Sequence, residues 1–167
     1  MNERLLGAGH KTFVTRFPER TSDIGQMINQ YLKNNNDLSD QAVHLLFSAN
    51  RWEYNSLIKG KYSLRIASRS LSWNFSAKIE SGTHVIIDRY AFSGVAFTAA
   101  KGLDFDWCKN PDRGLPKPDV VIQLNVDEEC AKGRGGFGEE RYEKVEFQRR
   151  VRSLYAKLSE ENKDVSS

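Results

Sequence analysis

The stretch that most constrains this chain is Thr83–Ile87 (THVII), an unbroken apolar run closed by Asp88-Arg89-Tyr90. Continuous apolar character, without alternation, is what a parallel strand covered on both faces requires. Such a strand needs helices on either side, so the fold should be α/β with a parallel sheet. Two further runs fit the same sheet: Thr12–Phe17 (TFVTRF), stopped by Pro18, and Asp119–Leu124 (DVVIQL). Helical stripes separate them. Ile24, Met27, Ile28 and Tyr31 recur at helical spacing behind a Thr21 or Ser22 cap. A second helix should start at Ser39 or Asp40 and run from Gln41 towards Glu53, with Val43, Leu46, Phe47 and Asn50 on one side. Ser93–Lys101 is compatible with a helix, and Glu143–Leu158 has helical periodicity. Lys61–Ala77 has no clean period and reads as a loop or an atypical insertion.

Length and composition bound the rest. At 167 residues with 39% apolar content, one domain over residues 1–167 is expected. A net charge of +3 singles out neither nucleic acid nor an acidic membrane. Arg65, Arg69, Trp73 and Phe75 could form a basic–aromatic patch for single strands. They lie in the atypical segment, so nucleic acid is not an expected partner. Cys108 and Cys130 stand apart and read as free thiols in a reducing compartment. With neither a membrane-spanning run nor a signal peptide, the expected compartment is the cytoplasm, with the nucleus as a second. His10, His44 and His84 fall singly in different elements and read as neither catalytic nor metal-binding.

In open α/β sheets, ligands bind beyond the carboxyl ends of the strands. Phe17-Pro18-Glu19-Arg20 and Asp88-Arg89-Tyr90 occupy those positions. Arg20 and Arg89, with Arg51 on the helix between, could converge on a phosphate, since guanidinium binds it bidentately and keeps its charge. The same spacing also suits solvated surface arginines. Phe47 and Arg51, four apart, share a helix face. They could stack on a flat base and donate to its edge, favouring a 4-carbonyl over a 4-amine. A core Phe beside a surface Arg is the plainer alternative. Gly133–Tyr142 (GRGGFGEERY) suits a lid over phosphates or a surface turn.

Several longer motifs occur in order: RFPER (Arg16–Arg20) with Asp23-Ile24-Gly25, HLLFSANRWE (His44–Glu53) and DRYAFSGVAFTAAK (Asp88–Lys101). DWCK (Asp106–Lys109), GLPKPD (Gly114–Asp119) and FGEERYE (Phe137–Glu143) follow. Together they resemble thymidylate kinase of the eukaryotic type. The resemblance implies a P-loop-kinase-like parallel sheet with flanking helices, and transfer of the ATP γ-phosphoryl group to dTMP, giving dTDP for dTTP biosynthesis. It implies that Phe47 stacks on thymine, Arg51 donates to O4, and Arg20 and Arg89 grip the monophosphate. Arg89 and Asp88 would serve catalysis, with Asp88 reaching the Mg²⁺ that accompanies ATP through water. Ser93 and Gly94 would line the pocket, Phe97 would crowd the 2′ position, and Tyr142 would contact the sugar. Arg134 would pack on adenine in a closing segment that includes Glu140 and Arg141. A homodimer through helices beside the sheet is also implied.

Members of that family open with a strand and a G-x-x-x-x-G-K-[ST] loop that cradles phosphates. No such string occurs in this sequence. Asn2–Lys11 resembles the tail of the helix that follows the loop. The expectation is a fold truncated at both ends, lacking a first central strand between Thr83–Ile87 and Asp119–Leu124 and a last strand. Lys61–Ala77 would be an insertion. A chain of this kind should show negligible ATP turnover, and the alternative function is a non-catalytic dTMP-binding or dimerising relative.

Overall fold

The computed structural model describes residues 1–55, 75–124, 142 and 145–162. Two strands form where β-branched and apolar residues cluster: β1 (Thr12–Arg16) and β2 (His84–Asp88). They run parallel, with Thr12 opposite His84 and Arg16 opposite Asp88. The ladder continues one step at each end, through His84 N–H to the Lys11 carbonyl (2.8 Å) and Phe17 N–H to the Asp88 carbonyl (2.9 Å). This register makes both strands finish together, so Phe17–Arg20 and Arg89-Tyr90 emerge at one edge.

Helices follow as the apolar stripes require. They are α1 (Asn2–Gly7), α2 (Asp23–Leu32), α3 (Asp40–Asn55), α4 (Phe75–Glu80) and α5 (Ala91–Ala99). Then come α6 (Phe105–Lys109), a 3₁₀ turn (Asn110–Asp112) and α7 (Val145–Glu161). Ser22 caps α2, its hydroxyl accepting from Gly25 N–H. Asp104 caps α6 through Trp107 N–H at 2.7 Å.

Two apolar clusters hold these elements. Ile28, Tyr31 and Leu32 of α2 pack with Val43 of α3. Val95, Ala96 and Ala100 of the α5 region pack with Cys108, Val151 and Leu158. His44 joins the two sets of helices. Its Nε2 donates to the Cys108 carbonyl (2.9 Å), since a carbonyl can only accept, which leaves Nδ1 to accept from the Thr98 hydroxyl (2.8 Å). Burial holds the imidazole pKa below its ordinary value, so it is a neutral structural strut.

Two sequence expectations are corrected. Asp119–Leu124 does not form a strand: Val120 makes an isolated bridge and residues 121–124 have no regular structure. A strand exists only through backbone pairing, and among the described residues the sheet has two strands, β1 and β2. Val120 and Ile122 are each 56% exposed and Leu124 is 84% exposed. Phe75–Ala77, the end of the segment expected to be irregular, opens α4 instead. The Asp104-capped helix α6 in the DWCK region was not foreseen. Lys61–Asn74 and all of the Gly133–Tyr142 segment except Tyr142 lie outside the described residues. Among the described residues no helix is long and apolar enough to cross a membrane.

Candidate active site at the strand ends

The loop after β1 is pinned from below. Asn50, fully buried on α3, accepts from Glu19 N–H (2.8 Å) and donates to the Glu19 carbonyl (3.1 Å), gripping one residue's backbone on both sides. The Glu19 carboxylate folds back onto its own loop. It accepts from Thr21 N–H (3.0 Å), the Thr21 hydroxyl (2.6 Å), Ser22 N–H (3.2 Å) and the Tyr54 hydroxyl. Burial alone would raise the carboxyl pKa, but these donors outweigh it and hold the group below its ordinary range. Gly25 lets the loop lie against α2, for a Cβ there would sit 1.9 Å from the Glu19 carbonyl oxygen. Arg20 thereby stands at the exposed rim, with Nη1 donating to Asn29 Oδ1 at 3.0 Å.

One α3 face carries the residues singled out for base recognition. Phe47 is half-buried and Arg51 is 2% exposed. Asp112 holds the Arg51 guanidinium by a fork, Nε to Oδ1 at 3.0 Å and Nη2 to Oδ2 at 2.6 Å. Ser48 donates to the same Asp112 Oδ1 at 2.7 Å. The guanidinium also lies against Gly94 of α5, where a Cβ would come within 2.8 Å of Nη2. Tyr90, next to this pair, has its phenol pKa pushed up to about 12, first by burial.

The end of β2 supplies the opposite wall. Asp88 accepts from Arg16 Nη2 at 3.2 Å on an exposed surface. Arg89 has a left-handed backbone (φ 63°), a conformation that non-glycine residues hold at a cost and that recurs at functional sites. Its guanidinium sits 5.1 Å from the Phe97 ring centroid. Phe97 packs edge-on to Tyr142 (5.6 Å), and Tyr142 stacks on Phe147 (5.4 Å). Lys101 lies 4.9 Å from the Tyr142 ring centroid and is paired with Asp40 at 2.8 Å. A cleft of about 980 Å³ is lined by all of Arg20, Phe47, Arg51, Asp88, Arg89, Ser93, Gly94, Phe97 and Tyr142.

A family model described as thymidylate kinase matches residues 1–166. The chain is 48% identical over 159 residues to thymidylate kinase of Schizosaccharomyces pombe, covering 95% of this chain and 68% of the relative. To the Arabidopsis thaliana thymidylate kinase it is 47% identical over 156 residues, covering 93% and 53% respectively. The chain belongs to the thymidylate kinase family. A solved thymidylate kinase from Candida albicans superposes with a TM-score of 0.74 at 35% identity, covering 96% of this chain and 73% of that one. The fold is therefore that of a P-loop kinase, with a parallel sheet and flanking helices. The chain spans between about half and two thirds of the length of these curated relatives (53% and 68%).

In this chain Arg134, Glu140 and Arg141 lie outside the described residues. Among the described residues no group of three or more His, Cys, Asp or Glu side chains could hold a metal ion. Asp88 fits a lesser part, because Mg²⁺ commonly takes one or two carboxylates and completes its shell with water and substrate phosphates. Sequence reasoning missed the supports. Glu19 and Asn50 stood inside recognised motifs, and Asn50, a polar residue on the apolar side of α3, could have signalled a pinned loop. Asp112 gave no local signal, since its pairing with Arg51 spans 61 positions.

Proposed function

We propose that the cleft is the acceptor site of a dTMP kinase. The observation that carries this reading is that one cavity gathers the aromatic Phe47, the buried Arg51 and the rim guanidiniums Arg20 and Arg89. Phe47 would stack on thymine while Arg51 donates to O4. Arg20 and Arg89 would neutralise and orient the 5′-monophosphate by charge-assisted hydrogen bonds. Ser93 and Gly94 line the wall beside the nucleotide, Phe97 crowds the 2′ carbon, and Tyr142 meets the sugar. The volume falls within the range of small-molecule sites.

The reaction is in-line transfer. A dTMP phosphate oxygen attacks the γ-phosphorus of ATP, the bond to the β-bridging oxygen breaks, and ADP leaves with dTDP as product. The chain's own contribution is positioning and charge neutralisation, by Arg89 at the transferring group and Arg20 on the acceptor. Mg²⁺, carried in with the ATP phosphates, supplies further neutralisation, and Asp88 would face it through water. Arg134, Glu140 and Arg141 would close over the ATP side. We place the enzyme in the cytoplasm as a homodimer, each copy one domain.

Calorimetric titration tests the acceptor site. Saturable dTMP uptake by the chain, weakened at least about tenfold by Phe47→Leu with Arg89→Gln, is the expected outcome, since base stacking alone is worth about 1–3 kcal/mol. Equal uptake by the variant would refute the proposal. A second reading, dTMP binding without turnover, expects the same uptake. ADP release on mixing the chain with ATP and dTMP separates the two.

A further inference from the structure

The guanidinium of Arg51 is held from behind by Asp112, which is not among the residues lining the cleft. It is 2% exposed, and its charge is met by Asp112, itself 8% exposed, from the 3₁₀ turn after α6. Two of the five guanidinium N–H groups go to that carboxylate, through Nε and Nη2. The fork fixes the plane of the group, and the remaining hydrogens can only donate. Gly94 completes the arrangement from α5, because any Cβ there would press on Nη2.

We infer that Asp112 and Gly94 are specificity-determining positioning residues: together they lock the Arg51 fork so that the cleft accepts a pyrimidine with a carbonyl at its 4-position and rejects one with an amine. The inference rests on the acceptor-site reading above and adds the device that enforces it. A mobile arginine could swing aside from an exocyclic amine, whereas a guanidinium fastened at two nitrogens meets that amine with its own N–H groups and leaves both unsatisfied. An asparagine at 112 would turn one acceptor of the fork into a donor and release the group. An alanine at 94 would displace the guanidinium without removing any charge.

The test compares three ligands, dTMP, dCMP and dUMP, by calorimetry on the full chain and on Asp112→Asn and Gly94→Ala. The dTMP-over-dCMP preference should fall by about tenfold in each variant, the scale on which one bidentate contact discriminates. The dTMP-over-dUMP preference should not move, because those ligands share the 4-carbonyl and differ at the 5-methyl. A general loosening of the cleft would lower both ratios together, and that result overturns the inference. So does an unchanged dTMP-over-dCMP ratio in a variant that melts like the parent, or no such preference in the parent. If Asp112→Asn does not fold, Gly94→Ala alone decides by the same two ratios. Should the parent chain take up no dTMP at all, the acceptor-site reading itself fails, which is distinct from a parent that binds and discriminates regardless of Asp112.

Discussion

The loop after β1 and the segment 119–124 differ in how fully the chain satisfies them. Around Glu19, backbone N–H, backbone carbonyl and carboxylate all find partners on α3 and within the loop itself. In 119–124, apolar side chains with period-two spacing stand half exposed or more, and one isolated bridge at Val120 is the only regular feature. The contrast teaches that an apolar run specifies a strand only when a ladder partner is at hand. A polar loop becomes rigid when buried side chains answer its backbone.

Three measurements can break or sharpen that contrast. The largest effect is expected from Gly25→Ala, which forces a methyl against the Glu19 carbonyl oxygen at 1.9 Å. Its cost should be about 3 kcal/mol, read as a lowered urea midpoint, since neither backbone can give way easily. A midpoint within error of the parent would mean that the loop is not rigid. The next effect is a pH dependence from His44, whose pKa is depressed by burial between the two helix sets. Below the ordinary value of 6.5 the unfolded chain takes up a proton that the folded chain resists, so stability should fall as pH drops through and below that point. His44→Gln should flatten this slope; an unchanged slope would assign it to other groups. The smallest effect is expected in the exposed segment, where Ile122→Asn should shift stability by no more than about 0.5 kcal/mol. A large loss on denaturation would show that Ile122 is covered in solution.

Much of the cleft was legible because its residues are local: Phe47 with Arg51 on one helix turn, and Arg20 and Arg89 directly after strands. Helices α2, α3, α5 and α7 were legible for the same reason, down to the Ser22 cap. The supports were not. Asp112 reaches Arg51 through tertiary folding, and the Glu19–Asn50 clamp joins a loop to a helix 31 positions away. Asp119–Leu124 misled because an apolar run reports the side chains' preference and not whether a backbone neighbour exists.

The left-handed backbone at Arg89 sets foldability against grip at a single position. Only glycine relaxes that conformation, so Arg89→Gly should raise the melting temperature slightly while deleting the charge proposed to hold the monophosphate. A selection for heat resistance would therefore favour a sequence that has lost its anion anchor. The strained arginine would survive only where ligand uptake is itself what is selected.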